Sequence, residues 1–390
     1  MSAENKNKHD LIEVKDYPLN QIYFYLTGGC NLNCRHCWIE PRKAQAGKPF
    51  PALDPEMFQG IINEAIPMGL KGVKLTGGEP LLHPQIGVMI DIVRKNRLNL
   101  SMETNGTLCT KDIAAKMAEC RNLSVSVSLD GADATTHEWV RGRKGCFQET
   151  LEGIGHLVRA GIRPQIIMTV MRCNRDQMAD LVRLAETLNA ASVKFNVLQP
   201  TARGLKMHEA SEGLDVGELI STGTWVDEEL SATTKLDLYF HQPPAFRSLG
   251  RMFGKGGDGC YSCGILGILG VLSDGSYALC GIGTTVPELI FGRAGQDPLE
   301  KVWRDNSTLN EIRQGLPERL TGVCASCVMK QICSGSCLAQ NYYRSGNLWA
   351  PFWYCEEARS QGLFPESRLL PNGLSQPAKE VKNDGAKNPL

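Results

Sequence analysis

Two apolar rhythms alternate along residues 20–200. Short runs rich in β-branched and aromatic residues occur at 22–26, 72–75, 98–102, 123–129, 165–171 and 192–197. Between them, at 55–65, 86–95, 113–119, 149–160 and 177–188, apolar residues recur with helical period. In the last of these, Met178, Leu181, Val182, Ala185 and Leu188 share one face. Repeated strand–helix units predict an α/β fold with a parallel sheet and helices packed outside it. Six strands predict an open or partial barrel rather than a closed eightfold one. The alternation then stops. Residues 1–19 read as a polar lead-in, 201–259 as a less regular connector, 260–370 as a cysteine- and glycine-rich second domain, and 371–390 as a disordered polar tail.

Charge changes the picture by exclusion. Lys plus Arg and Asp plus Glu number 42 each, so nothing favours nucleic acid or an anionic membrane as a partner. The longest strongly apolar run, 265–272, is too short to span a bilayer. Residues 1–10 are polar with no apolar signal core, so a cytoplasmic protein is expected. In that compartment fifteen cysteines with tight spacings point to metal rather than disulfides. Cys109, Cys120, Cys146 and Cys173 are scattered and are expected to be small buried hydrophobes.

The remaining eleven cysteines form two groups. Cys30, Cys34 and Cys37 are spaced C-x3-C-x2-C directly after the first strand. The spacing admits a zinc site, which would need a fourth ligand, or an iron–sulfur cluster. His36, adjacent to Cys37, is poorly placed to be that fourth ligand, and the asymmetric spacing differs from paired zinc knuckles. With three thiolates a four-iron cluster keeps one iron open to a small molecule. In parallel α/β folds chemistry gathers at the C-terminal ends of strands, where this loop lies. The second strand ends at the same side in Thr76-Gly77-Gly78-Glu79-Pro80, whose glycines let a ligand approach the backbone. The second group is Cys260, Cys263, Cys280, Cys324, Cys327, Cys333, Cys337 and Cys355. Apolar runs flank Asp274-Gly275, predicting a hairpin that brings Cys263 and Cys280 together.

Cys30, Cys34 and Cys37, the aromatic Trp38 that follows them, and Gly77-Gly78-Glu79-Pro80 resemble the radical S-adenosylmethionine (SAM) superfamily over about residues 20–200. The later cysteines, with eleven residues from Cys263 to Gly275 and four from there to Cys280, then Cys324-x2-Cys327-x5-Cys333-x3-Cys337 and Cys355, resemble its SPASM extension. The resemblance implies a partial (β/α)6 TIM-like barrel with a C-terminal SPASM auxiliary-cluster domain. It implies three 4Fe–4S clusters: one on Cys30, Cys34 and Cys37 whose open iron SAM chelates, and two auxiliary ones. The family's crossed pattern would give Cys260, Cys263, Cys280 and Cys337 to one auxiliary cluster and Cys324, Cys327, Cys333 and Cys355 to the other. By the same resemblance Gly77, Gly78 and Glu79 would receive the SAM amino group. Thr104 or Asn105 would meet the ribose. Ser128 ends the fourth strand at the same site, and Arg141 would pair with the SAM carboxylate through its two-pronged donor geometry.

Function follows from the resemblance in the same way. An electron from a low-potential donor such as flavodoxin or ferredoxin would cleave SAM to a 5′-deoxyadenosyl radical, which takes hydrogen from an unactivated carbon. SPASM-bearing enzymes mostly act on peptides or proteins, so the leading expectation is maturation of a ribosomally made peptide by a thioether or carbon–carbon crosslink or a related oxidation. About twenty residues precede the first strand, so leader recognition would need the C-terminal region or a separate protein. Tetrapyrrole side-chain oxidation or decarboxylation is a second enzyme reading. Sulfatase maturation is a third, lowered because those enzymes carry aspartate where this chain has Gly281. A non-catalytic iron–sulfur carrier or scaffold is the reading outside enzymes, and it would have no use for Gly77–Glu79. Asp237, Tyr239, His241 and Arg251 are candidates for the barrel mouth. No general base is identified.

Overall fold

The computed structural model describes residues 17–41, 50–254 and 263–371. Cys260 lies outside the described residues, as do most of the polar lead-in and nearly all of the polar tail. One sheet organises the molecule. Its strands are β1 (Gln21–Tyr25), β2 (Gly72–Thr76), β3 (Asn99–Thr104), β4 (Leu123–Ser128), β5 (Gln165–Val170), β6 (Ser192–Val197), β7 (Asp237–His241), β8 (Ile268–Val271), β9 (Ser276–Ala278) and β10 (Ile290–Arg293). They lie in the order β10-β9-β8-β1-β2-β3-β4-β5-β6-β7. All pairings from β8 through β1 to β7 are parallel, and β8-β9 and β9-β10 are antiparallel.

The helices that cross between these strands are α1 (Pro55–Ala65), α2 (Ile86–Lys95), α3 (Lys111–Ala118), α4 (Ala134–Arg141), α5 (Cys146–Arg159) and α6 (Met178–Thr187). Asp54 fixes the start of α1: its carboxylate accepts from the Glu56 and Met57 amides, and Pro55 supplies a φ already set for a helix. Phe58 of α1 is fully buried against Phe24 of β1, with ring centroids 4.4 Å apart. Burying such a ring contributes roughly 1.5–3 kcal/mol.

The six strands and five helices expected from the apolar rhythm are all present. Two expectations change. Residues 201–259 are not an irregular connector: they hold α7 (Ala202–Glu209), α8 (Val216–Glu228) and the seventh parallel strand, β7. The cysteine-rich region is not a separate layer either. The expected hairpin forms as β8 and β9, and β8 pairs with β1 in parallel register, Gln21 opposite Ile268. The six-strand barrel is thus extended at both edges. No helix among the described residues is long and apolar enough to cross a membrane.

Alternation along the strands gives the sheet two unlike faces. Ile22, Phe24, Val73, Leu75, Leu100, Met102, Val127, Met168, Phe195 and Leu238 are buried under the helices and build the core. The intervening positions are polar: Tyr23, Lys74, Glu103, Ser128, Thr169, Lys194, Asn196 and Tyr239. These line two cavities inside the curve of the sheet. Leu198, Phe352 and Trp353 add apolar surface to the second of these cavities.

Candidate active site

The first cavity, about 1050 Å³ including its open mouth, lies at the C-terminal ends of the strands. Its walls include Cys30, Cys34, Cys37, Gly77, Gly78, Glu79, Thr104, Asn105, Ser128 and Arg141, together with Trp38. The structure therefore brings all ten sequence-derived residues of the barrel site to one place.

Backbone bonds hold the cysteine loop. The Asn33 and Arg35 amides donate to the Arg141 and Val140 carbonyls at 3.1 and 2.9 Å, and the Arg203 amide donates to the Cys37 carbonyl at 3.2 Å. Helix α4 ends at Gly142 in the left-handed region, with φ 69°. A Cβ there would overlap the Asn33 carbonyl, so glycine is needed both for the turn and for the approach. On the opposite side the Gly78 and Glu79 amides donate to the Thr27 and Gly29 carbonyls at 3.0 Å each. The Thr27 hydroxyl lies 2.9 Å from the Glu79 carbonyl.

These bonds separate the glycines from Glu79. The Glu79 carboxylate is buried and accepts from the Thr104 hydroxyl at 2.6 Å, the Asn105 amide at 2.8 Å and the Leu81 amide at 3.0 Å. Burial pushes its pKa up, and the Asn105, Thr104 and Leu81 donors oppose that rise. The Gly77 and Gly78 carbonyls accept from no other described residue. Thr104 and Asn105 are also engaged. The Asn105 side chain donates to Asn31 Oδ1 at 2.9 Å and accepts from the Thr107 amide at 3.0 Å.

Arg141, in the last turn of α4, is buried with Nε 2.7 Å from Asp130 Oδ2. The pair is close enough for an ion pair, although the N–H is not aimed along a hydrogen-bond line. Its Nη1 donates to Cys34 Sγ at 3.6 Å. Asp130 has no exposed surface and also accepts from the Thr169 amide at 2.8 Å, with His36 Nε2 3.8 Å away. Burial raises the Asp130 pKa, but the Arg141 guanidinium outweighs it and holds the carboxyl below its ordinary value. Burial pushes His36 down to about 4, so it stays neutral. Asp130 was missed in the sequence because it closes an ordinary strand-end Asp-Gly turn.

The C-terminal cysteines fall into two sets. Cys324, Cys327, Cys333 and Cys355 line one small cavity, where the first three thiols each act electrostatically on Cys355. Cys263, Cys280 and Cys337 form the second set, coupled in the same way. Burial pushes the Cys30 and Cys333 thiols up to about 12, whereas Cys263 lies at the exposed edge of its set. Thiols crowded together away from water are a donor set that a metal would neutralise. No three Cys, His, Asp or Glu groups among the described residues are close enough to share one metal ion. Cys30, Cys34 and Cys37 pack together on one wall of the first cavity, a donor set that fits a cluster whose thiolates sit on different irons. Of the scattered cysteines, Cys109, Cys120 and Cys146 are buried as expected, whereas Cys173 is exposed.

A second cavity, about 2140 Å³ including its open mouth, adjoins the first along Val197 and Gln199 and extends to Cys263 and Cys337. Asp237, Tyr239 and His241 line it, as the sequence anticipated. Arg251 does not: it pairs with Asp227 at 3.6 Å. Lys74 and Glu103 were not singled out in the sequence. They form an ion pair at 2.6 Å where the cavities meet, with Lys74 in the second and Glu103 in the first. A charge at the centre of an otherwise apolar strand was the available signal.

One substitution tests how this site is assembled. A Cβ on Gly78 would overlap the Gly29 carbonyl carbon and oxygen. Backbone cannot give way as a side-chain end can, so Gly78→Ala is expected to push the cysteine loop off the β2 turn. Iron bound at Cys30, Cys34 and Cys37 should fall with little change in helical circular dichroism. Full iron loading would count against the packing described.

Comparison with known proteins places this geometry. The radical SAM superfamily model matches residues 24–185. The AdoMet-dependent heme synthase of Methanosarcina barkeri is 31% identical over 350 residues, covering 86% of this chain and 95% of that protein. The mycofactocin maturase MftC of Mycobacterium tuberculosis is 26% identical over 353 residues, covering 89% and 85%. Among solved structures, Streptococcus suis SuiB bound to S-adenosylmethionine shares the fold, with TM-score 0.68 at 17% identity over 87% of this chain and 78% of that one. Identity at the level of the Methanosarcina protein, sustained over nearly its whole length, establishes kinship: this chain is an enzyme of the radical SAM superfamily, of the SPASM-bearing kind.

Proposed function

We propose that this enzyme matures a peptide, taking hydrogen from one residue of a ribosomally made precursor to form a thioether or carbon–carbon crosslink or a related oxidation. The observation that carries the reading is the lumen. Its lining of Tyr23, Lys74, Gln165, Lys194, Asn196, Tyr239 and Gln242 offers donors and acceptors in a long cleft leading to the first cavity. Successive peptide amides can be satisfied there. The similarity to MftC supports the same class.

The roles of individual residues are part of the proposal. Cys30, Cys34 and Cys37 hold a 4Fe–4S cluster. The free Gly77 and Gly78 carbonyls receive the SAM ammonium, while Glu79 braces the turn that presents them. Arg141, anchored by Asp130, faces the SAM carboxylate, and Thr104, Asn105 and Ser128 complete the wall. When bound, SAM and the cluster supply reductive cleavage and a carbon radical that removes hydrogen. Cys263, Cys280 and Cys337, with Cys260, hold one auxiliary cluster, and Cys324, Cys327, Cys333 and Cys355 hold the other. A flavodoxin- or ferredoxin-type donor supplies electrons, and a separate protein binds the precursor's leader. The sulfatase-maturing reading loses further ground. The Tyr25 ring occupies the space a side chain at Gly281 would need, so no aspartate fits there as a base.

A second reading, oxidation or decarboxylation of a tetrapyrrole side chain, is favoured by the 31% identity to the Methanosarcina heme synthase. A flat macrocycle needs a broad apolar wall, and Leu198, Phe352, Trp353 and Tyr354 supply apolar surface in the second cavity beside its polar groups. Anaerobically reconstituted enzyme, SAM and reductant should be given short peptides encoded beside its gene and, separately, an iron tetrapyrrole bearing propionates. Loss of two hydrogens per crosslink in a peptide, read by mass spectrometry, is the expected result. Untouched peptides with propionates lost as carbon dioxide would replace this reading with the second.

A further inference from the structure

One lysine of the lumen is left without a bonded partner among the described residues. Lys194 on β6 and His241 on β7 point into the second cavity, and Arg247 lines the same space. In the strand register Lys194 stands opposite Tyr239 and Asn196 opposite His241, so Lys194 and His241 are diagonal neighbours on one face. Lys194 has no hydrogen-bond or ion-pair partner among the described residues. Glu103 is bonded to Lys74 at 2.6 Å and Asp227 pairs with Arg251 at 3.6 Å, while Asp237, the other diagonal neighbour on β7, lines the same cavity without reaching ion-pair distance of Lys194. His241, at the exposed end of β7, opens into the same space beside Lys194.

We propose that Lys194, with His241 beside it, anchors a carboxylate of the substrate inside the lumen. The proposal rests on the lumen being the substrate's place. Asn196, two residues further along β6, lines the first cavity. Two residues of strand span about 7 Å, so an anchored carboxylate lies within a side chain's length of the SAM cavity. The anchor therefore selects substrates whose reacting carbon is close to an acidic group. A Glu or Asp side chain of a peptide has this chemistry, and so does a tetrapyrrole propionate.

The test uses reconstituted full-length enzyme and two matched pairs of probes, with binding measured anaerobically by calorimetry. One pair is a capped octapeptide with a central glutamate and its glutamine twin. The other is coproporphyrin III and its tetramethyl ester. In at least one pair the acid should bind about tenfold or more tighter than its neutral twin, the expected size for a charged hydrogen bond. Lys194→Gln should erase that preference, and Lys194→Arg should keep it. The pair that shows it identifies the source of the carboxylate. Equal binding within both pairs, no binding of either acid, or a preference that survives Lys194→Gln would overturn the anchor. Scoring precursor crosslinking in parallel separates the two ideas. Crosslinking without an acid preference sinks the anchor alone, and an acid preference with no peptide modified sinks the maturase reading alone.

Discussion

Replacing Cys30, Cys34 and Cys37 together with alanine is expected to abolish SAM cleavage while the C-terminal half keeps its iron. The thiol sets are distinct, although β8 joins β1 in the one sheet. The barrel cysteines face the first cavity, whereas the later ones gather in sets around Cys337 and Cys355. The cysteine loop is held by main-chain bonds from Asn33, Arg35 and Arg203, which alanine side chains leave in place. If each site holds four irons, total iron should fall by about a third. Iron analysis and Mössbauer spectra of the triple variant read this directly. Loss of all iron would mean that the sites are not separate.

Asp130→Asn is expected to be the most destabilising single change at the site. Asp130 is wholly buried, and Arg141, 9% exposed along its side chain, has no other carboxylate within ion-pair reach among the described residues. Removing one partner of such a pair leaves a charge without compensation and costs about 3–5 kcal/mol. Urea unfolding of the wild type and the variant measures the loss. The double variant Asp130→Asn/Arg141→Met removes both charges and should recover part of it, because the cost lies in the stranded guanidinium. A loss below about 1 kcal/mol would show that solvent reaches Arg141 and that Asp130 does not anchor it.

Much of the barrel was legible because its signals are local. Helix α1 matches its expected bounds because Asp54-Pro55 marks its start, and α2 because five apolar side chains keep one face. The site motifs were legible for a related reason. Each is a contiguous segment at a strand end, so placing the strands places Cys30, Gly77 and Ser128 together. What escaped depended on partners far away in sequence. β7 is a five-residue strand with Asp and His at its ends, and only its place beside β6 makes it part of the sheet. Helix α4 is short, and its role in clamping the cysteine loop appears only through bonds to Asn33 and Arg35. Glu79 reads in sequence as a ligand-facing carboxylate, yet the end of β3 supplies donors that engage it. Lys74, Glu103 and Lys194 were visible as charges within apolar strands, but the face they share is set by sheet register.

The central claim is that the cavity at Cys30, Cys34 and Cys37 cleaves SAM. Anaerobically reconstituted enzyme, reduced with dithionite and given SAM, should yield 5′-deoxyadenosine and methionine in equal amounts by chromatography, and the triple alanine variant should yield neither. Absence of 5′-deoxyadenosine from the fully iron-loaded wild type, with precursor peptides and the acidic probes present, would contradict the account.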